Sequence, residues 1–211
     1  MVFLFTGLGG ETGSHLTPGM AHFARRCSNL VVVSAALPFS VEGTGRKETA
    51  KTSLPAIMQA AHATITYPND GLLKLAPNLP LRQAFKVMDS IMMFPAAELA
   101  QVITREDLLA LREDLPMVRE FRLGVGEGRG LNREAQVVAD AFTSPWFDRP
   151  LDNVALAIVV LIGREIDQYA MGNVLDGVLF RIPNAKVWYG GRSDPEMNEG
   201  LRLMLLLGFA P

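Results

Sequence analysis

Residues 2–14 read Val2-Phe3-Leu4-Phe5-Thr6-Gly7-Leu8-Gly9-Gly10-Glu11-Thr12-Gly13-Ser14. Val2 to Thr6 is a near-continuous apolar run of the kind that forms a strand buried on both faces. The glycines after it let backbone N–H groups approach an anion, and a helix starting near Ser14 adds the positive end of its dipole. Strand, glycine turn and helix in that order suit phosphate, although a tight strand-to-helix turn without a ligand has the same local pattern. No Lys follows the last glycine, so GxxxxGK[ST] is not met, and Gly7, Gly9 and Gly10 fit GxGxxG only loosely.

Outward from this stretch, strands and helices alternate. Leu30 to Ala35 and Thr64 to Tyr67 read as the second and third strands. The helix between the first two carries Met20, Phe23, Ala24 and Cys27 at helical spacing, with Ser14 or Thr17 as its cap and Pro18 in its first turn. A second helix runs from about Lys47 to Ala61. This βαβαβ order implies a parallel sheet whose ligands sit at the carboxyl ends of the strands, where Gly9 to Ser14, Glu42 and Asn69 all fall. From Leu79 to Val102 the pattern is helical, with Leu81, Phe85, Met88, Met92 and Leu99 as an apolar stripe for the core. Pro95 should kink or end that helix near Phe94. A short charged helix after Thr104, the glycine-rich Leu123 to Gly130, a helix through Asn132 to Phe142, a strand Val154 to Ile162 and a helix near Ile166 to Leu179 follow. Ala185 to Tyr189 and Leu201 to Leu207 read as two final strands paired as a hairpin-like edge.

Composition fits a chain that buries a sizeable core: 211 residues, 49% hydrophobic, 20% charged, net charge -2. No basic excess points to nucleic acid. The single cysteine, Cys27, excludes an internal disulfide framework, suits a reducing compartment and reads as a buried helix residue. The apolar runs Val154 to Ile162 and Leu203 to Leu207 fall short of the roughly 20 residues of a membrane span. The first residues lack the basic flank and cleavage site of a signal peptide.

Five short motifs, in order and at the right spacing, resemble FtsZ of the tubulin superfamily. Gly9 to His15, GGETGSH, is similar to its phosphate loop GGGTGTG. Pro38-Phe39-Ser40-Val41-Glu42-Gly43-Thr44-Gly45-Arg46 resembles PFxFEGxxR, and Tyr67-Pro68-Asn69-Asp70 with Leu72-Leu73 resembles IPNDxLL. Asn78-Leu79-Pro80-Leu81 opens a helix with Ala84-Phe85 and Asp89, and Ser193-Asp194-Pro195-Glu196-Met197-Asn198 resembles the DPDMND turn. The resemblance implies an α/β fold: a partial nucleotide-binding domain over 1–78 with a parallel sheet, a central helix over 79–103, and an α+β C-terminal domain over 104–211. It implies a GTP or GDP site, with Mg, built from Gly9, Gly10, Thr12, Gly13, Ser14, Glu42, Arg46, Asn69 and Asp89, the last two reading guanine. A carboxylate accepts from guanine's N1–H and amine, and an amide serves either a donor or an acceptor. As plain surface chemistry, Glu42 and Arg46 are also a common ion pair and Asp89 a solvated helix residue.

Departures bear on activity. Glu11 and His15 stand where the family has glycine, which puts a carboxylate where phosphates should lie. The family's catalytic loop carries NxDxxD, reaching into the next subunit's nucleotide; here Ala110, Arg112 and Leu115 take those places, and neither Arg nor Leu accepts a proton from water. Only a register shift would bring Glu113 or Asp114 in, so no catalytic residue is assigned. By the same resemblance, a segment with another glycine-rich loop normally precedes Met1 and a tail follows Pro211, so the first strand is expected to be an open edge that a partner covers. The expectation is a cytoplasmic, FtsZ-like GTP-binding cytoskeletal protein of cell division that assembles head to tail, hydrolyses GTP weakly or not at all, and binds neither nucleic acid nor membrane directly. The alternatives are a non-catalytic structural partner of a filament or of a complete FtsZ, and a truncated gene copy.

Overall fold

The computed structural model describes residues 1–118 and 120–210. Three parallel strands, β1 (Val2–Gly7), β2 (Val31–Leu37) and β3 (Ala63–Pro68), alternate with helices α1 (Glu11–Cys27) and α2 (Thr44–Ala60). The short α3 (Asp70–Leu75) leads into the long α4 (Leu81–Val102) and then α5 (Arg105–Asp114). The remaining elements are β4 (Glu120–Gly128), α6 (Arg133–Ala141), β5 (Val154–Gly163), α7 (Gln168–Arg181), β6 (Lys186–Ser193) and β7 (Leu201–Phe209). All seven strands join one mixed sheet in the order β1-β2-β3-β4-β7-β5-β6.

Alternation along the strands divides the core. Val31, Val33 and Ala35 face α1 and α2, where Ala21 and Ile57 meet them. Val32 and Ile65 face the opposite side with Met88 and Met92 of α4. β5 does the same further along, with Ile158 and Val160 on the α4 side and Val159 and Leu161 packed with Val174 and Val178 of α7. In the α4 stripe Met88, Met92 and Leu99 are buried and Phe85 is partly exposed; the Leu81 side chain lies outside the described residues. β1 is one edge of the sheet, with Phe5, Leu16, Met20 and Phe23 exposed beside it.

The sheet is narrowest at its middle, where β3 and β4 share a single register pair, Ile65 with Phe121. A buried polar cluster reinforces that joint. The Thr66 hydroxyl accepts from Arg122 and donates to Glu120, Arg122 lies 3.0 Å from Glu120, and Arg149 closes on the other Glu120 oxygen at 2.5 Å.

Several sequence expectations give way here. β6 and β7 do not form a hairpin: β7 inserts between β4 and β5, antiparallel to both, and β6 pairs parallel with β5 at the far edge. The reason lies in their patterns, since eight of the nine β7 residues are buried while β6 keeps half its positions in solvent; a strand that is apolar on both faces belongs in the middle. The α1 cap is Gly10 rather than Ser14 or Thr17, so Pro18 falls inside the helix. Pro95 is buried and α4 runs on past it without ending; in that turn the Ser34 hydroxyl donates to the Met92 carbonyl at 3.2 Å. Cys27, the last residue of α1, is exposed rather than buried. Glycine-rich 123–130 is largely strand β4, and its alternate glycines have a packing role. A Cβ on Gly126 would sit 2.0 Å from the Val137 carbonyl, and one on Gly128 2.1 Å from that of Arg133. The bare face lets α6 lie directly on the sheet.

Candidate functional site

The carboxyl ends of β1, β2 and β3 and the flank of α4 enclose a cavity of about 340 Å³. It is lined by Gly10, Glu42, Arg46, Asn69 and Asp89 of the expected set, together with Phe5, Phe85, Met88 and Met92. Five residues singled out for one ligand, from four separate parts of the sequence, therefore line one cavity. The apolar members were legible only as core: Phe85 and Met92 stand one helical turn either side of Asp89, a spacing that marks a shared face.

The glycine loop is built by close backbone packing. Gly9 has φ 97° and its α-carbon lies against Arg46, so that a Cβ would be 2.9 Å from the Arg46 carbonyl. Gly13 sits over the end of β1, where a Cβ would meet the Gly7 carbonyl at 2.0 Å. No side chain caps α1, and so its first backbone N–H groups are not claimed by one. An uncapped helix start after a glycine loop is disposed to take an anion. Ser14 is buried and its hydroxyl accepts from the Gly9 N–H at 3.0 Å. Ser14 and Gly13 thus brace the loop, and Thr12 is exposed; none of the three lines the cavity. Glu11 does not line it either, and the His15 ring lies 2.8 Å from the Glu11 carbonyl.

The loop after β2 is held by carboxylates. Glu42 accepts from the Phe39 N–H at 2.7 Å and from Arg46 at 2.8 Å, which occupies both of its oxygens. Asp70 accepts from the Ser40 N–H at 2.8 Å and from the Ser40 hydroxyl, while Lys47 donates to that hydroxyl at 2.7 Å. These contacts tie the start of α3 to the turn before α2 and fix Asn69 between them, its N–H donating to the Leu37 carbonyl at 3.1 Å. Asn69 is only 4% exposed and its Oδ1 has no partner. An unsatisfied buried amide oxygen costs about 1–3 kcal/mol, and a bound donor would remove that cost. Asp89 lines the same cavity, is exposed, and has no hydrogen-bond partner among the described residues.

At the catalytic-loop positions, α5 starts with a capping box. Thr104 accepts from the Asp107 N–H at 3.2 Å, and the Asp107 carboxylate returns to the Thr104 N–H at 2.9 Å. The backbone N–H of Thr104 and then its hydroxyl hold the Asp107 carboxyl below its usual range. Ala110 and Arg112 are exposed and Leu115 is buried. Asp114 is engaged by Lys186 at 2.7 Å, which leaves Glu113 as the exposed acid nearby.

Residues 1–77 match the family model described as the Tubulin/FtsZ family, GTPase domain. Cell division protein FtsZ 1 of Archaeoglobus fulgidus is 31% identical over 98% of this chain and 58% of its own length. Among solved structures, an FtsZ W319Y mutant from M. jannaschii superposes with a TM-score of 0.90 at 28% identity, covering 100% of this chain and 65% of that one. An FtsZ dimer, empty, from M. jannaschii gives 0.89 at 28% identity, covering 99% and 63%. The chain spans a little under two thirds of the length of these relatives. Over the whole of its own length, in sequence and in fold, what this chain resembles is FtsZ of the tubulin/FtsZ superfamily.

Proposed function

We propose that the chain is an FtsZ-type cytoskeletal protein that takes GTP or GDP in the cavity between the glycine loop and α4, and assembles head to tail with little or no hydrolysis. The observation that carries this reading is the cavity itself, which Gly10 at the uncapped start of α1, Asp89, and Asn69 with its unpartnered buried oxygen all line. Glycine backbone and α1 N–H groups would receive phosphates, and Asn69 and Asp89 the sugar or base. Arg46 stands at the rim, 56% exposed, where it is able to reach a phosphate after leaving Glu42. A magnesium ion bound with the nucleotide would be held chiefly by its phosphates and water. The M. jannaschii FtsZ dimer is a relative that associates with itself, which supports assembly here.

Guanine should be preferred over adenine by roughly tenfold to a hundredfold, because Asp89 accepts from guanine's N1–H and amine but faces an unprotonated N1 on adenine, a difference of about 1–3 kcal/mol. Titration of GDP and ADP into the chain and into Asp89→Ala checks this, with the preference lost in the variant. Equal affinities in the parent would remove Asp89 from the base site.

Hydrolysis is a separate expectation. With Ala110, Arg112 and buried Leu115 at the catalytic-loop positions, and Asp114 held by Lys186, those positions offer no carboxylate to orient and polarise water. Phosphate release from GTP at high protein concentration should stay at background, and steady turnover on addition of GTP would refute it. The same residues favour the second reading, a non-catalytic partner of a filament or of a complete FtsZ.

A further inference from the structure

Trp146 stands between α6 and β5, in the C-terminal half of the sequence, yet its indole lies against the segment that carries Asn69. The side chain is buried, and its Nε1–H donates to the Pro68 carbonyl at 3.2 Å. The ring meets Tyr67 edge to face, with centroids 6.2 Å apart. It fits there because residue 71 is glycine, where a Cβ would sit 2.9 Å from the indole nitrogen. The backbone of the tryptophan is fixed to the sheet from the other side. Its N–H donates to the Ser144 hydroxyl at 3.3 Å, and that hydroxyl donates to the Leu123 carbonyl of β4 at 2.6 Å.

The Pro68 carbonyl and the Asn69 N–H belong to one peptide group, whose plane also contains the Asn69 α-carbon. Trp146 holds the carbonyl, and the Leu37 carbonyl at the end of β2 holds the N–H at 3.1 Å. Both polar ends of the plane are thus tied to different elements, and side-chain torsions alone aim the buried, unpartnered Asn69 Oδ1. We infer that Trp146 is a positioning residue for the nucleotide site: through the Pro68 carbonyl it sets where Asn69 presents its amide to the sugar or base. The role rests on the nucleotide reading proposed above and adds to it a residue that does not line the cavity. An amide held in place before the ligand arrives loses less freedom on binding than one the ligand must order. Tryptophan suits the task because it joins a large apolar body, which packs beside Tyr67 and Gly71, to a single ring N–H donor.

Calorimetric titration of GDP into the full chain, Trp146→Phe, Asn69→Ala and the double variant tests the role. Phenylalanine keeps an aromatic ring and removes the donor, so Trp146→Phe should weaken GDP about threefold to tenfold, the scale of one net hydrogen bond. In the Asn69→Ala background the same change should weaken GDP no further, because the residue it acts through is gone. The chain has two tryptophans, and the indole N–H resonances of Trp146 and Trp188, assigned with Trp188→Phe, give a reading that decides even if Trp146→Phe does not fold. GDP should shift the Trp146 resonance and leave that of Trp188, on β6 at the far edge of the sheet, in place. A Trp146 resonance indifferent to saturating GDP, or losses that multiply in the double variant, overturns the role. So does an unchanged GDP affinity in Trp146→Phe beside a lowered urea midpoint, which would make Trp146 a core residue only. A parent that takes up no GDP overturns the nucleotide reading and this role with it, whereas a parent that binds GDP and is matched by Trp146→Phe keeps that reading and removes the tryptophan alone.

Discussion

Arg122→Met should lower the unfolding free energy by about 3 kcal/mol, the low end of what removing one partner of a buried ion pair costs. Glu120 is 3% exposed and Arg122 is equally buried. Burial lowers the Arg122 pKa, an effect opposed by the charges of Glu120 and Asp148, and a guanidinium stays charged at ordinary pH even so. Without it, Glu120 retains the partly exposed Arg149 and the Thr66 hydroxyl, which is why the loss should fall at the low end. The double substitution Glu120→Met with Arg122→Met removes both charges and should recover much of the difference. Urea unfolding of the two variants measures both values. A single variant within 0.5 kcal/mol of the parent, a loss typical of surface positions, would mean that the cluster does not hold the joint between β3 and β4.

Gly126→Ala should cost a similar amount for a different reason. One methyl group on Gly126 would have to displace α6, because the atoms in its way are the Val137 carbonyl at 2.0 Å and the Ala141 nitrogen at 2.6 Å, both backbone. Overpacking of this kind costs about 1–3 kcal/mol and more where backbone must move. At about 3 kcal/mol the midpoint of thermal unfolding falls by roughly 6–12 °C for a chain of this size. Gly172→Ala is the matched control. It lies inside α7 with nothing within 4 Å of the added carbon, and so it should stabilise by up to about 1 kcal/mol through helix propensity. Loss of stability in both variants to the same degree would show that packing against α6 is not the cause.

Much of the fold was legible because β1, β2 and β3 carry short apolar runs and the helices between them carry a helical period. The position of β7 was missed because Ala185 to Tyr189 and Leu201 to Leu207 are neighbours in sequence, and adjacency favours a hairpin. The contrary signal was present: Leu203 to Leu207 has no polar alternation, as a central strand requires, whereas β6 alternates. The role of Gly124, Gly126 and Gly128 has an equally simple signature, glycine at every second residue of a strand, which marks one face left bare for a helix. At the site, Glu42, Arg46, Asn69 and Asp89 were placed by motif order, and they do share a cavity with Gly10. Gly13 and Ser14, which the same resemblance gives to the nucleotide, respectively pack over Gly7 and accept from the Gly9 N–H; whether a hydroxyl faces a ligand or its own loop depends on where α1 begins, and Gly10 rather than Ser14 sets that start.

The central seat of β7 also has a temporal consequence. The ribosome makes β4, β5 and β6 first, yet β4 and β5 have no pairing with each other and each waits for the same later strand. Until residues 201–209 emerge, two apolar strand edges stand open in the nascent chain, the circumstance in which slow non-local pairing exposes a chain to misassembly. Completion of this half is therefore tied to the end of β7 synthesis, and a pause in translation before residue 201 should leave the strands already made protease-sensitive and in need of a chaperone.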